Sequence, residues 1–317
     1  MPNIEMHELS EELWWATDVV LCKTMACYDR VTKWYAQEGN KRNTKVWYTR
    51  HATSDFANFA RTHFGVVKPK DYTNVQFTHI AGGSSQKGTT QVLDCWLSRP
   101  DLPPLDFYVA ANEWKANFEK TYAGRLRVSA NINLTDHNLD PPSFGKVVAE
   151  TSFFLCPSRS EGYGHYLNQA RASGGVIITT DAAPMNELVQ DGMGVYVATK
   201  LAIDRNQILG GDYHGPLGLK NFSSEDICSA VEQVVYNTTL RQRLDMANKA
   251  QQHFSSVLTR SSLTEQQTQP LLSSSLSLSM PMRFSTPNSF LTMMEPQALS
   301  RSFCELQGGH DLNTIRS

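Results

Sequence analysis

Two glycine-containing loops of the sequence hold the residue types that bind phosphate. The first loop reads IAGGSSQKG and contains Gly82, Gly83 and Lys87. Glycines let the backbone approach a ligand closely, and a lysine neutralises phosphate as a point charge. The loop is not a Walker A motif, because Lys87-Gly88-Thr89 reverses the order Gly-Lys-Ser/Thr that this motif requires. We therefore expect a phosphate-bearing ligand here, and the alternative is a tight turn with a solvated lysine.

The second loop belongs to the segment 152–189, which reads without a break as strand, loop, helix, strand and acidic loop. The helix is expected from His165 to Ser173, between strands at 152–156 and 176–180. In open parallel α/β sheets, ligands lie at the carboxyl ends of the strands, where the first turn of a helix offers N–H groups to an anion. The residues that this fold would bring to that edge are Glu161, Gly162, Gly164, His165, Asp181 and Glu187.

Two other interpretations of this second loop remain open. In a plain strand-to-helix turn, His165 is a capping or packed histidine and Glu187 stabilises the first turn of a helix. In an oxidoreductase, the loop binds a nicotinamide dinucleotide, but Leu167 occupies the place of the third glycine of that fingerprint. Hydride transfer is therefore the weakest of the three hypotheses.

Short apolar runs alternate with helical segments from Asp18 onward, which is typical of an α/β protein. About six strands, one of them placed at 125–132, predict a doubly wound, Rossmann-like parallel sheet between about residues 70 and 200. Two helices follow it. The first is capped by Ser223 with Asp226 at its third position, and the second runs from about Thr239 to Phe254.

The chain divides into three parts on these patterns. Residues 1–68 form a partial second α/β unit, and residues 69–256 form the Rossmann-like domain. Residues 257–317 are rich in Ser, Leu and Met without a period that could bury one face, which predicts a low-complexity, disordered tail. A partner-binding segment that folds on docking is the alternative for this tail.

The overall composition bears on partners and localisation. The formal net charge is −2, which provides no electrostatic reason to expect nucleic acid or an anionic membrane as a partner. No stretch reaches the length of a transmembrane segment, and the amino terminus lacks a basic start and an apolar signal core. We expect a cytoplasmic protein whose six cysteines are reduced and mostly buried, since they show no metal-type spacing. Three Asn-x-Ser/Thr triplets, at Asn133, Asn221 and Asn237, are interpreted as chance occurrences.

The two loops together resemble the carboxyl-terminal, donor-binding domain of GT-B glycosyltransferases of the retaining family 4 type. The resemblance covers about residues 75–200. That family has a Lys-Gly pair in a glycine-rich loop after the first strand of the domain, and Lys87-Gly88 matches it. A later loop of the family carries two glutamates separated by seven residues, matched here by Glu161 and, with a change of residue type, by Gln169.

The resemblance implies a hexosyltransferase with a UDP- or GDP-sugar as donor, retention of configuration, no metal cofactor and an unknown acceptor. Departure of the nucleotide diphosphate builds negative charge, which a lysine and fixed N–H donors can stabilise. Glu161 is implied as the catalytic residue at the donor sugar. The residues implied at the donor diphosphate are Gly82, Gly83, Lys87, Gly162, Tyr163, Gly164 and His165, and those implied at the ribose or sugar are Gln169 and Glu187.

Three departures from the family pattern favour a second hypothesis, a catalytically impaired nucleotide-sugar-binding or scaffolding protein. Gln169 lacks the charge of a glutamate, which weakens a hydrogen bond to ribose by about 1 kcal/mol. The arginine that precedes the Lys-Gly pair in the family is absent. Residues 1–68 resemble only the last strands of an amino-terminal GT-B domain, and such a remnant exposes a sheet edge that a protein partner would complete.

Overall fold

The computed structural model of the protein describes residues 11–50, 53–65, 68–159, 161–201 and 220–275. The strands are β1 (Val19–Cys22), β2 (Lys45–Tyr48), β3 (Phe77–Gly82), β4 (Leu105–Val109), β5 (Ile132–Thr135), β6 (Phe153–Cys156), β7 (Val176–Thr180), β8 (Gly194–Val197), β9 (Lys200–Leu201) and β10 (Lys220–Asn221). The helices are α1 (Glu11–Ala16), α2 (Met25–Glu38), α3 (Phe56–His63), α4 (Thr89–Ser98), α5 (Ala111–Glu113), α6 (Glu119–Arg127), α7 (Pro141–Glu150), α8 (His165–Ser173), α9 (Met185–Leu188), α10 (Ser224–Asn237) and α11 (Leu240–Ser275).

Six parallel strands form one sheet in the order β5-β4-β3-β6-β7-β8. The chain builds outward from β3 in one direction and then returns to add β6 on the other side of β3, so the topological switch point lies between β3 and β6. Ligands of doubly wound sheets bind at this point, beyond the carboxyl ends of the two strands. The predicted fold class, a doubly wound α/β sheet, is confirmed.

Both faces of the sheet are covered by helices. All residues of β6 and β7 are buried, as expected for central parallel strands that read as continuous apolar runs. α4 and α10 pack on one face around Trp96, Phe107 and Val231. α3, α7, α8 and α11 pack on the other face, where Val148, Leu167 and Ile177 are fully buried. The loops at the carboxyl edge of the sheet therefore rest on a rigid core.

Several predicted element boundaries are confirmed residue by residue. The helix His165–Ser173 and the strand Val176–Thr180 have the predicted limits. Ser223 caps α10, and its hydroxyl and the carboxylate of Asp226 exchange hydrogen bonds with each other's backbone N–H groups. These elements were predictable because glycine stops and a capping box are local signals.

Two elements differ from the sequence-based expectation. The strand placed at 125–132 is wrong for most of its length, because residues 125–127 end α6 and β5 begins only at Ile132. Leu126 is buried as part of the helical face of α6, and an isolated apolar residue fits either period. The last helix continues past Phe254 to Ser275, so it overlaps the start of the segment predicted to be disordered. Residues 276–317 of that segment lie outside the described residues.

The amino-terminal unit has its own small sheet. β1 pairs in parallel with β2, and α2 packs against both strands. Its core is aromatic: Trp15 lies 4.7 Å from Trp34 between ring centroids, and Trp34 lies 4.9 Å from Tyr35. Residues 1–10 of this unit lie outside the described residues.

The cysteines contradict the expectation that all six are reduced. Cys95 on α4 and Cys228 on α10 form a disulfide with a Cα–Cα distance of 5.7 Å. The two residues are 133 positions apart, so their pairing leaves no spacing signature in the sequence. Cys22, Cys27 and Cys156 are free and buried, as predicted, and Cys304 lies outside the described residues.

Two cationic side chains donate hydrogen bonds to the carbonyl groups at the carboxyl-terminal ends of α7 and α8. Lys70 Nζ donates to the carbonyl oxygens of Val148 and Thr151 and to the hydroxyl of Ser173, while Arg61 donates to the carbonyls of Ala149 and Ser173. These carbonyl groups have no partner within their helices, and positive charge is favoured there by the helix dipole. Burial, with a smaller effect from the nearby Arg61 charge, lowers the pKa of Lys70 to about 7.

This lowered pKa predicts that the free energy of unfolding rises with pH above about 7. An unfolded lysine keeps its proton up to about pH 10.4, so the unfolded state binds more protons than the folded state in this interval. The slope should reach about 1.4 kcal/mol per pH unit. Urea unfolding between pH 6.5 and 8.5 measures it. Thiols of the unfolded chain begin to ionise toward the upper end of this range, and that contribution is common to wild type and the control variant. Lys70→Met is the control, and an equal slope in this variant would contradict the assignment.

Candidate functional site

The two glycine loops meet at the switch point of the sheet. The loop after β3 and the loop after β6 are joined by a hydrogen bond from the backbone N–H of Arg159 to the carbonyl oxygen of Gln86, 2.7 Å long. Gly88 closes the first loop with a φ of +69°, in the left-handed region. A Cβ at this position would lie 2.3 Å from the carbonyl oxygen of Pro157. Glycine at position 88 is therefore needed both for the backbone conformation and for the contact between the loops.

Lys87 and Glu161 form an ion pair where the loops meet. Lys87 Nζ lies 2.5 Å from Glu161 Oε1, and the two side chains are only 16% and 7% exposed. The ammonium group also lies 3.7 Å from the ring centroid of Tyr166, a cation–π contact. The lysine predicted to meet a diphosphate and the glutamate predicted to meet a sugar are thus brought into direct contact.

Ser158 holds Glu161 in this position. Its hydroxyl donates to the same Oε1 atom at 2.5 Å and is also hydrogen-bonded to the hydroxyl of Tyr166. The backbone of the loop is anchored in turn by β7, because the hydroxyl of Thr180 donates to the carbonyl oxygen of Ser158 at 2.6 Å. Ser158 and Thr180 are fully buried. The carboxylate therefore projects from a loop whose own position is determined by the core.

A buried histidine connects the strands beneath the two loops. His79 on β3 is fully buried, and its Nδ1 lies 2.8 Å from the carbonyl oxygen of Leu155 on β6. A carbonyl only accepts, so Nδ1 carries the proton and Nε2 accepts from the hydroxyl of Thr89 at 3.0 Å. Burial lowers the pKa of His79 to about 4, with the Leu155 carbonyl opposing and Lys87 adding to the shift. The imidazole is neutral at pH 7 and ties α4 to both central strands.

The start of α8 faces the same edge of the sheet. Gly164 precedes the helix with a φ of +77°, and as a glycine it offers no side chain of its own to cap the first turn. A Cβ on Gly164 would meet the Leu188 side chain at 2.9 Å, so the approach of α9 also favours glycine there. The local geometry expected for anion binding at a helix N-terminus is present.

Tyr163 and His165 face the amino-terminal unit. The Lys23 ammonium lies 5.7 Å from the centroid of the Tyr163 ring, and the hydroxyl of Thr53 lies 3.1 Å from His165 Nδ1. Tyr163 is buried, which raises its pKa. The GYGH segment, residues 162–165, therefore lies between the six-stranded sheet and the segment around β1 and β2.

Glu187 caps a helix of the amino-terminal unit. Its carboxylate accepts hydrogen bonds from the backbone N–H groups of Met25 at 2.6 Å and Ala26 at 3.1 Å, in the first turn of α2. The side chain of Thr24 accepts from Cys27 in the same turn. Burial raises the pKa of Glu187, and the two backbone donors oppose that shift. The alternative interpretation of Glu187, stabilisation of a helix start, describes this contact, although the helix belongs to another unit of the chain.

Gln169 lies on the inner side of α8. It is 5% exposed and lines a cavity of about 10 Å³ with Thr78, Ile80 and Tyr166, among others. A space of this size holds about one water molecule. Among the described residues, neither Gln169 nor Glu187 forms a hydrogen bond or an ion pair with Lys87 or Glu161.

Sequence reasoning missed Ser158, Tyr166 and His79. Ser158 stands at the carboxyl end of a predicted strand, three residues before Glu161, and its place at the sheet edge could have indicated a polar role. Tyr166 and His79 have no comparable signal, because their roles depend on residues distant in the sequence.

The described residues contain no group of three or more His, Cys, Asp or Glu side chains placed to hold a metal ion. The expectation that no metal is required stays a prediction. Within the same residues, no helix is both long and apolar enough to cross a membrane.

Searches with the whole sequence matched no protein-family model, and no curated protein matched it. Solved structures do resemble the fold. The pneumococcal O-GlcNAc transferase GtfA, in complex with UDP and GlcNAc, is 14% identical over 84% of this chain and 49% of its own, with a TM-score of 0.56. HepE of Anabaena, in complex with UDP and glucose, is 15% identical over 79% of this chain and 62% of its own, with a TM-score of 0.51.

A third similar structure is the sucrose-phosphate synthase of Thermosynechococcus elongatus, 8% identical over 81% of this chain and 59% of its own, with a TM-score of 0.56. The chain spans about half to two thirds of the length of these proteins. At such identities the likeness concerns the fold, and the chain has the Rossmann-like fold of GT-B glycosyltransferases.

Proposed function

We propose that the chain binds a UDP- or GDP-sugar at the two glycine loops and transfers its hexosyl group, with retention of configuration, to an acceptor. The observation that carries this proposal is the contact of Lys87 with Glu161 at the switch point of a GT-B-like sheet. Two of the similar structures are complexes with UDP and a sugar, which supports a nucleotide sugar as the ligand class.

In this proposal Lys87 and the first-turn N–H groups of α8 bind the donor diphosphate, with Gly82, Gly83, Gly162 and Gly164 allowing its close approach. As the sugar–phosphate bond breaks, negative charge accumulates on the leaving diphosphate, and these donors stabilise it without a metal ion. They are already in place on rigid elements, so little reorganisation is needed during the reaction. Glu161 adjoins the diphosphate position and would contact the donor sugar.

The second candidate function is a nucleotide-sugar-binding protein with impaired catalysis. The sequence features that support it are Gln169 in the place of a glutamate and the absence of an arginine before Lys87-Gly88. In both functions, we propose that a protein partner completes the sheet of β1 and β2 and that the chain acts in the cytoplasm.

Calorimetry with UDP, GDP, ADP and NAD tests the ligand class. Binding of UDP or GDP but not NAD is the expected result, and NAD binding alone would contradict the proposal. Incubation with UDP- and GDP-sugars then separates the two candidate functions. Slow release of free sugar indicates a working catalytic loop, whereas binding without release indicates the impaired protein.

Replacement of Lys87 by alanine should weaken binding of UDP or GDP by about 1–3 kcal/mol, as expected for a charged hydrogen bond in a mostly buried site. That range corresponds to about 5- to 150-fold in affinity at 25 °C. Titration calorimetry of the two proteins measures the difference. Lys146→Ala is the control, because Lys146 is an exposed lysine whose nearest acidic partner is Glu150 on the same helix. Equal affinity of wild type and Lys87→Ala would contradict the role of Lys87.

A further inference from the structure

The positive charge of the Lys87 ammonium is already balanced by a carboxylate of the same chain, that of Glu161. Glu161 Oε1 accepts from both Lys87 Nζ and Ser158 Oγ, and the ammonium lies against the Tyr166 ring. A lysine prepared only for an incoming anion would present its charge to solvent. Here 84% of the side chain is shielded, given its 16% exposure, and its donor points at a carboxylate of the same chain.

A diphosphate and Glu161 would therefore compete for the same ammonium group of Lys87. Each is an anion that forms charge-assisted hydrogen bonds with an ammonium group. If a diphosphate contacts Lys87 while Glu161 stays in place, two anions share one cation in a poorly solvated site, where like charges repel strongly. Displacement of the carboxylate removes this repulsion.

We propose that Glu161 is an internal substitute for the donor diphosphate at Lys87, held there by Ser158 and Tyr166, and that a nucleoside diphosphate binds by displacing it. Ser158 is a positioning residue in this exchange, because it contacts Glu161 and acts on the ligand through it. The inference rests on the proposed function, specifically on diphosphate binding at Lys87. Exchange releases the Glu161 carboxylate only when a donor is bound, which would make its availability to the sugar depend on the nucleotide.

A double-mutant cycle with UDP tests the exchange. Glu161→Gln frees Lys87 from its internal anion and should tighten UDP binding about tenfold, the gain expected when one charged hydrogen bond no longer competes. In a Lys87→Met background the same substitution should change the affinity less than about twofold, because no ammonium is left to compete for. Calorimetry of the four proteins gives the coupling between the two substitutions in UDP affinity, and thermal unfolding verifies that each protein is folded.

Two further variants separate competition from simple charge repulsion. Ser158→Ala leaves every charge in place and removes one donor to Glu161, so it should tighten UDP binding about threefold, whereas repulsion alone predicts no change. This variant decides the question if Lys87→Met binds UDP too weakly to measure. Asp181→Asn removes a negative charge at the same edge of the sheet, where Asp181 pairs with Asn186. The resulting gain in UDP affinity should be below about twofold and should disappear at high salt.

Three results would overturn the inference: unchanged or weaker binding in Glu161→Gln, an equal gain in both Lys87 backgrounds, or no gain in Ser158→Ala. Failure of the proposed function gives a different pattern, in which wild type binds no nucleoside diphosphate or Lys87→Ala binds it as well as wild type does. The two failures are therefore distinguishable within one set of titrations.

Discussion

Loss of the Cys95–Cys228 disulfide should lower the free energy of unfolding by up to about 5 kcal/mol, the chain-entropy value for a closed loop of 133 residues. The disulfide reduces the conformational freedom of the unfolded chain. In the folded protein it joins α4 to α10, which cover the same face of the sheet. Equilibrium unfolding of wild type with and without dithiothreitol measures the effect. The Cys95→Ser/Cys228→Ser variant is the control, since the reductant should not change its stability.

Two free thiols at these positions in a non-reducing peptide map, with no response to dithiothreitol, would contradict this expectation. The state of the pair in protein isolated from its own cells also bears on localisation. The cytosol keeps most thiols reduced, so a disulfide in that material would count against the proposed cytoplasmic localisation.

Gly88→Ala should be the most damaging single substitution in the candidate site. The added Cβ would lie 2.3 Å from the Pro157 carbonyl oxygen and 2.9 Å from the Phe222 ring, at a φ that L-amino acids rarely adopt. The left-handed conformation alone costs about 1–2 kcal/mol, and backbone displacement adds to it. We expect a loss of about 3 kcal/mol in unfolding free energy and at least about tenfold in UDP affinity, because the two loops would move apart.

Gly174→Ala is the matched control for this substitution. Gly174 ends α8 in the left-handed region, with φ +76° and ψ +46°, and Gly88 lies in the same region with φ +69° and ψ +20°. The nearest atoms to a Cβ at position 174 belong to the Gln251 side chain, 3.5 Å away, which is an ordinary contact. The substitution should therefore cost only the conformational part, about 1–2 kcal/mol, and leave UDP binding intact. If Gly88→Ala behaves like Gly174→Ala in both measurements, the close approach of the two loops is not needed for binding.

Local signals in the sequence were sufficient for most of the fold. The apolar runs at 153–156 and 176–180 predict buried parallel strands, and Ser223 with Asp226 marks the start of α10, because both patterns act within one element. The prediction of a strand at 125–132 was wrong because that segment has no pattern that separates a strand from a helix. A single buried residue such as Leu126 fits a helical face as well as a strand, and only packing distinguishes the two.

By itself the sequence determined the α/β class, the two glycine loops, and the candidacy of Lys87 and Glu161. These conclusions depend on residue types, on the positions of glycines and on the succession of strands and helices along the chain, all of which can be recognised within short segments. Only the tertiary structure decided that Lys87 contacts Glu161, that Ser158 and Tyr166 hold that pair, that Glu187 caps α2, and that Cys95 is bonded to Cys228. Each of those contacts except the Ser158 bond joins residues from separate elements of the chain. Their geometry depends on how helices and strands pack against each other, and no pattern of neighbouring residues encodes it.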